Sequence, residues 1–185
     1  MKRLIPTLAA SLLIGGAAFA QDTSETPAPA PPPPPPTCEG ENYRAFDFWL
    51  GEWEVTDGNG TVYGTNSITS HENGCLLLEN WTSATGGTGQ SYNFVDPVSG
   101  LWRQVWVSQA ANIDYDGGPT EAGGIRLQGT IHYRNGTSNP FWGEWTPQED
   151  GTVKQYFEQM DPATNKWSPW FLGIYTRIEA TDSNG

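Results

Sequence analysis

The sequence has few cysteines, few histidines and few basic residues. Its 185 residues include two Cys, two His and nine Lys or Arg, against 21 Asp or Glu. A net charge of −12 repels nucleic acid and anionic lipid, so we expect neither a nucleic-acid partner nor insertion into a membrane. The sequence contains no transition-metal motif such as His-x-x-x-His or a Cys cluster, so we expect no metal site.

The two ends of the chain lack the alternating pattern of a folded domain. Residues 1–20 have a basic start, an apolar run and a small-x-small end, which is typical of a secretory signal peptide. A membrane anchor is the alternative, but the apolar run is short for one and contains Pro6. Residues 21–37 include six consecutive prolines, which predicts a disordered linker. We expect a disordered tail at 180–185 and a periplasmic or secreted protein.

Long amphipathic helical patterns are absent after Cys38, and apolar residues recur at every second position instead. Short alternating runs are separated by Gly, Asn, Asp and Pro, which predicts antiparallel strands joined by tight turns. Residues 38–179 contain about ten such runs, including a short one at 112–116 and a last one at 170–178. A meander of about eight to ten strands closes most easily as an up-and-down barrel, so the predicted domain is all-β.

The two cysteines, Cys38 and Cys75, are predicted to form a disulfide. Two cysteines in an exported protein suit one bridge. It would fix the segment before the first strand to the barrel wall and stabilise the fold by about 2–4 kcal/mol. The alternatives are two separate thiols or a redox pair, although the long spacing does not have the form of a redox motif.

Alternation along the predicted strands places polar side chains among aromatic ones. Glu79 shares a strand face with Trp81, and Gln104 shares one with two tryptophans. Apolar walls with a few placed polar groups are typical of a ligand cavity. The candidate ligand-binding residues are Glu79, Trp81, Asn93, Trp102, Gln104, Trp106 and Gln155. The alternative is that these polar groups face solvent and that residues such as Val105 form the core.

Glu79 is the one candidate for catalysis. Burial among aromatic side chains without a cation would raise its pKa, and it could then act as a general acid or base. Pairing with a cation or exposure to solvent would make it an ordinary carboxylate. The sequence has no nucleophile elbow, phosphate-binding loop or dinucleotide fingerprint that would point to another reaction.

The start of the folded region resembles that of the lipocalins and the wider calycin group. Gly51-Glu52-Trp53 is similar to their Gly-x-Trp, and Arg177 is similar to their last-strand Arg. In those proteins a short helical turn precedes Gly-x-Trp, the Trp lies inside the barrel and the Arg packs over it. The resemblance implies a lipocalin-like barrel that is closed at one end by Gly51, Trp53 and Arg177.

A second resemblance covers nearly the whole folded region. Phe46 to Trp53, Gly74 to Trp81 and Trp102 to Trp106 are similar to three motifs of a family of uncharacterised exported bacterial proteins. That family has a Phe-Asp-Phe-Trp-x-Gly-x-Trp opening. The calycin group also includes haem-binding nitrobindins, but the position of their haem ligand is occupied here by Trp170. The resemblance therefore implies no haem, and we expect no cofactor.

These observations lead to three hypotheses of function. The first is non-catalytic binding of a small, largely apolar or aromatic molecule, because aromatic walls bind such ligands well. The second is an enzyme that uses Glu79 for proton transfer in the same cavity. The third is a structural or interaction module whose barrel is filled by its own side chains, as happens in barrels of about eight strands.

Overall fold

The computed structural model describes residues 37–179, and these form one barrel. The predicted signal peptide, the linker up to residue 36 and the tail from residue 180 lie outside the described residues. A short helix, α1 (Glu41–Arg44), and a 3-10 turn (Asp47–Trp49) precede the first strand. The strands are β1 (Gly51–Thr56), β2 (Val62–His71), β3 (Leu76–Ser83), β4 (Thr88–Val95), β5 (Trp102–Ser108), β6 (Ala111–Pro119), β7 (Ile125–Tyr133), β8 (Ser138–Pro147), β9 (Val153–Asp161) and β10 (Lys166–Arg177).

Each strand pairs antiparallel with the next one along the chain, and the ring closes where β1 pairs with β10. In that closing pair Trp53 lies opposite Arg177 and Val55 lies opposite Tyr175. The predicted all-β, up-and-down antiparallel barrel is therefore confirmed. Closure leaves no free sheet edge, and it gives every strand one face toward the interior and one toward solvent.

Two strands begin or end at least three residues outside the ranges that the sequence pattern predicts. The strand predicted at 112–116 continues to Pro119, because Gly117 and Gly118 pair with β7 although glycine favours turns. The last strand begins at Lys166 instead of residue 170. Pro169 lies next to a register shift in its pairing with β9, where a residue without a backbone N–H is tolerated.

The disulfide between Cys38 and Cys75 is confirmed, with the two Cα atoms 5.1 Å apart. It joins the segment before α1 to the turn between β2 and β3. The side chain of Asn42 donates a hydrogen bond to the carbonyl of Gly100 at 2.8 Å. The backbone carbonyl of Asn42 accepts a hydrogen bond from the indole of Trp102 at 2.9 Å. These contacts fix α1 across one end of the barrel, which we name the closed end.

Aromatic side chains fill the interior at the closed end. Phe46, Trp49 and Trp53 are fully buried. Phe46 stacks on Trp49 with ring centroids 4.9 Å apart and meets the ring of Trp145 edge-on at 5.3 Å. The indole of Trp53 donates a hydrogen bond to the Trp49 carbonyl at 2.9 Å. The 3-10 turn and the residues on either side of it thus supply the large apolar groups that plug this end.

Arg177 lies against Trp53 at the bottom of the closed end. Its guanidinium carbon is 4.3 Å from the centre of the Trp53 ring, and Nη1 donates a hydrogen bond to the Leu50 carbonyl at 2.9 Å. Gly51 has a positive φ of +132°, and a Cβ there would lie 2.4 Å from the Arg177 guanidinium. A side chain at position 51 would be strained by this φ and would displace the guanidinium from the Arg–Trp contact, which contributes of order 1 kcal/mol at a partly exposed site.

Candidate functional site

The half of the barrel away from the closed end contains a cavity of about 140 Å³. Its walls come from strands on opposite sides of the ring, so it lies within the barrel and not in a surface groove. The lining residues are Glu79, Trp81, Gln104, Trp106, Ile113, Tyr115, Gln155, Phe157, Trp170, Phe171 and Tyr175. The set consists of one carboxylate, two amides, two phenols and otherwise apolar side chains.

Four large aromatic side chains surround the mouth of the cavity, and we name them the aromatic rim: Trp81, Trp106, Trp170 and Phe171. Trp81 and Phe171 are partly buried, whereas Trp170 is 46% exposed. Trp170 and Phe171 both lie near Phe157 deeper in the wall, with ring centroids 6.2 and 5.9 Å from it. The aromatic rim thus lies between solvent and the aromatic walls of the cavity.

The indole of Trp106 lies directly over the backbone of β4. A Cβ built on Gly89 would be 2.1 Å from one ring carbon of Trp106 and 2.4 Å from another. Any side chain at position 89 would therefore push the indole away. The absence of a side chain at Gly89 thus leaves room for the Trp106 indole in this wall of the cavity.

Glu79 is the polar centre of the cavity floor. It is only 4% exposed, and its carboxylate accepts two hydrogen bonds from neutral groups. Asn66 Nδ2 donates to one oxygen at 2.7 Å, and the Ser91 hydroxyl donates to the other. Ser91 is the direct cross-strand neighbour of Glu79, and Asn66 comes from the adjacent β2. Strand pairing thus places a donor at each carboxylate oxygen.

A chain of hydrogen bonds runs from Ser91 to β6. Asn93 Nδ2 donates to the Ser91 hydroxyl at 2.8 Å. Gln104 Nε2 donates to Asn93 Oδ1, and the Tyr115 hydroxyl donates to Gln104 Oε1. Asn93, Gln104 and Tyr115 are direct cross-strand neighbours, so the register of the sheet builds this row.

The same chain continues on the other side of Glu79. Asn66 Nδ2 also lies 3.2 Å from the hydroxyl of Tyr175. That hydroxyl donates to Gln155 Oε1 at 2.6 Å. We name the whole set the polar arc, and its members are Gln155, Tyr175, Asn66, Glu79, Ser91, Asn93, Gln104 and Tyr115. Its hydrogen bonds give most of the polar side chains buried in the barrel a partner, as is usual for buried polar groups.

Burial raises the pKa of Glu79 from its ordinary value to about 7, because the charged form loses its hydration. The hydrogen bonds from Ser91 and Asn66 act in the opposite direction and lower it. Burial also raises the pKa of Tyr115 and Tyr175 well above 10, and the nearby carboxylate adds to that effect. Glu79 therefore changes charge near neutral pH, while both tyrosines stay neutral.

Most of the sequence-predicted ligand residues meet at the cavity. Glu79, Trp81, Gln104, Trp106 and Gln155 line it. Asn93 is buried in the polar arc behind Gln104 and is not among the lining residues.

Trp102 lies outside the cavity lining, at the closed end. It shares a strand face with Trp106 but is four residues away, and four residues span about 13 Å along a strand. Strand parity gives the face of a residue but not its depth in the barrel. The sequence interpretation also missed two cavity phenols, Tyr115 and Tyr175, and two donors to Glu79, Asn66 and Ser91. Tyr115 shares a strand face with the buried Ile113, so the same alternation argument could have found it.

The disulfide and the cavity are the features that bear on function. A disulfide is typical of proteins in oxidising compartments, such as the periplasm or the extracellular space.

Among residues 37–179, no helix is long and apolar enough to cross a membrane. Within the same range, no group of three or more His, Cys, Asp or Glu side chains is placed to hold a metal ion. No protein-family model matches this chain, and no curated protein matches it either.

Proposed function

We propose that this protein binds a small, largely apolar or aromatic molecule inside the barrel. The observation that carries the proposal is the cavity of about 140 Å³ with aromatic walls and a floor formed by Glu79. An apolar protein cavity of about 150 Å³ holds one benzene molecule. The buried part of the ligand is therefore about the size of a single ring, and any larger part extends past the aromatic rim.

The uneven packing of the barrel favours this function over a filled structural module. Barrels of similar size can be filled entirely by side chains. Here the closed end is filled by Phe46, Trp49, Trp53 and their neighbours, while the other half keeps a cavity. A barrel that served only as a scaffold would gain stability from filling that space, because cavities cost free energy.

The proposed location is the periplasm or the outside of the cell. The signal-like start at 1–20 and the disulfide support it. The lipocalin-like relationship is part of the same proposal. It is supported by the closed barrel, the helical turn before Gly51 and the contact between Trp53 and Arg177.

Binding of one-ring probes tests the proposal. We expect toluene and phenol to bind the native protein in ligand-observed NMR. The substitution Ile113→Trp places an indole in the cavity wall and should abolish this binding. Val107→Trp is the matched control, because Val107 is half exposed on the neighbouring strand and outside the cavity lining. Equal binding to both variants, or no binding to the native protein, would refute the proposal.

The pKa of Glu79 favours a second candidate function, proton transfer to or from a bound ligand. A carboxyl group with a pKa of about 7 in a site shielded from water suits general acid or base catalysis at neutral pH. Acetophenone is a suitable one-ring probe. The Glu79 carboxylate would take a methyl proton, the C–H electron pair would form the enolate, and return of a deuteron from D₂O would restore the ketone.

Deuterium incorporation into the methyl group, followed by NMR, measures this step. The second candidate requires faster incorporation with the native protein than with Glu79→Gln. Equal rates with the two proteins would refute the proton-transfer function and would leave the binding function standing.

A further inference from the structure

The cavity has one carboxylate and no cation to match it. Among the residues that the structure describes, none of those lining the cavity is Lys, Arg or His. The described ion pairs join Arg44 to Asp47, Arg103 to Asp114 and Arg126 to Glu144, and none of them includes Glu79. Both donors to Glu79 are neutral groups, from Asn66 and Ser91. The floor of the cavity therefore carries a full negative charge whenever Glu79 is ionised.

The hydrogen bonds of the polar arc point toward that carboxylate. From Tyr115 through Gln104, Asn93 and Ser91, each group donates to the next, and the last donates to Glu79. Aligned donors polarise one another and stabilise negative charge at the end of the row. The polar arc thus stabilises the ionised carboxylate of Glu79 without supplying a positive charge to neutralise it.

Both phenolic hydrogens are already used within the wall. Tyr115 donates to Gln104, and Tyr175 donates to Gln155. These two hydroxyls can offer a ligand only their oxygen lone pairs. Among the described lining groups, the remaining donors are the amide N–H groups of Gln104 and Gln155 and the rim indole N–H groups of Trp81 and Trp106. The carboxylate and the two phenol oxygens favour a ligand that donates hydrogen bonds.

The walls add a second attraction for positive charge. Trp81, Trp106, Phe157, Trp170 and Phe171 surround the space above Glu79. The face of an aromatic ring attracts a cation by about 0.5–2 kcal/mol, most strongly for Trp in a desolvated site. The net charge of −12 also raises the local concentration of cations around the molecule.

We propose that the ligand is a small organic cation, in which an ammonium group is attached to an apolar body of about one ring. The inference rests on the proposed binding function and names its ligand class. The ammonium group lies against Glu79 and between aromatic faces, and the apolar body fills the rest of the cavity. A neutral ring of the same size would leave the buried carboxylate uncompensated, and an anion would be repelled by it.

The proposal implies a defined pH dependence. The titratable groups that face Glu79 are Tyr115 and Tyr175, and both stay neutral over the working range because their pKa values lie well above 10. Glu79 is therefore the group that titrates in the site. A bound cation favours the ionised carboxylate, so affinity for the cation should rise with pH through about 7.

The test compares three ligands that share one ring: benzylamine, benzyl alcohol and benzoate. Calorimetric titrations at pH 8 should give an affinity for benzylamine that is roughly tenfold or more above that for benzyl alcohol, with benzoate weakest. Between pH 6 and pH 8 the affinity for benzylamine should rise by up to roughly tenfold, the ratio of ionised Glu79 at the two pH values. Benzylamine stays a cation over this range, because alkyl ammonium groups have far higher pKa values.

Two variants separate the local charge from the charge of the whole molecule. Glu79→Gln should remove the preference for benzylamine over benzyl alcohol, together with its pH dependence. Glu54→Gln removes one charge from the exposed face of β1 and should leave the preference unchanged. If Glu79→Gln does not fold, the ligand series on the native protein still decides.

Each outcome has a clear meaning. A preference for benzylamine that is lost in Glu79→Gln supports the inference. Equal or tighter binding of benzyl alcohol or benzoate to the native protein overturns it and leaves the binding function standing. Binding of none of the three ligands overturns both.

Discussion

Glu79 is the residue on which the chemistry of the cavity depends. It is a carboxylate at the centre of an all-β barrel, held by two neutral donors and surrounded by aromatic side chains. Burying a carboxylate without a cation costs free energy, because the charged form loses its hydration. A protein that keeps a charge there gains no stability from it, which is the expected pattern for a functional residue.

The first prediction concerns stability and pH. The pKa of Glu79 is about 7 in the folded protein, whereas the reference value for a glutamate in the unfolded chain is 4.5. Because the folded state holds this proton more tightly, stability should fall as pH rises from about 4.5 to 7, by about 3 kcal/mol as an order of magnitude. Urea denaturation at pH 5 and pH 8 measures the change.

Glu79→Gln should lose this pH dependence, because the new amide has no proton to release in that range. Ser91 and Asn66 can reorient to bond the amide, so the variant should be more stable than the native protein at pH 8. Exposed aspartates such as Asp96 have lowered pKa values, and they contribute stability that is lost only under more acidic conditions. A native protein whose stability is the same at pH 5 and pH 8 would contradict the burial argument.

The second prediction concerns Gly89. Gly89→Ala places a methyl group where the Trp106 ring lies, so the indole must move and one wall of the cavity moves with it. We expect a loss of stability of about 1–3 kcal/mol, as for other overpacked sites, together with weaker toluene binding and altered tryptophan fluorescence. Gly118→Ala is the control, because no heavy atom lies within 4 Å of the point that its new methyl group would occupy. If the two variants had the same stability and the same toluene affinity, the close contact between position 89 and Trp106 would have no effect.

At the scale of elements, α1 and the 3-10 turn act as a plug that is fixed from both sides. The disulfide and the hydrogen bonds of Asn42 hold it from outside, and Phe46 and Trp49 anchor it within the barrel. The plug closes one end and leaves the other end as the route to the cavity. The plug and the cavity thus lie in different halves of the molecule.

The third prediction follows from that separation. The double substitution Cys38→Ser and Cys75→Ser should lower the free energy of unfolding by about 2–4 kcal/mol. Toluene affinity, measured well below the melting temperature, should stay within about twofold of the native value, because neither cysteine lines the cavity. A large loss of affinity in a variant that is still folded would show that the two halves are coupled.

The strands could be predicted from the sequence because alternation and turn residues are local signals. The pattern found every strand, and it erred where glycine and proline take part in pairing, at Gly117 and near Pro169. Those errors have a common physical cause. Glycine and proline favour turns in isolation, but pairing with a neighbouring strand can override the local preference.

At the scale of the whole molecule, the cavity could be predicted only in part. Parity places Trp102 and Trp106 on the same face, yet one packs in the plug and the other lines the cavity. Their depth depends on how the ten strands tilt and on which end the plug occupies. The position of Tyr175, which is linked to Glu79 through Asn66, likewise depends on closure between the first and last strands.

The most direct test of a ligand cavity in this barrel is a crystal structure determined under xenon pressure. We expect a xenon peak, or density for a ligand retained from the cell, between Glu79 and the aromatic rim and in contact with Ile113 and Phe157. An interior in which side chains fill that space, with neither xenon nor ligand density, would contradict the presence of a binding cavity.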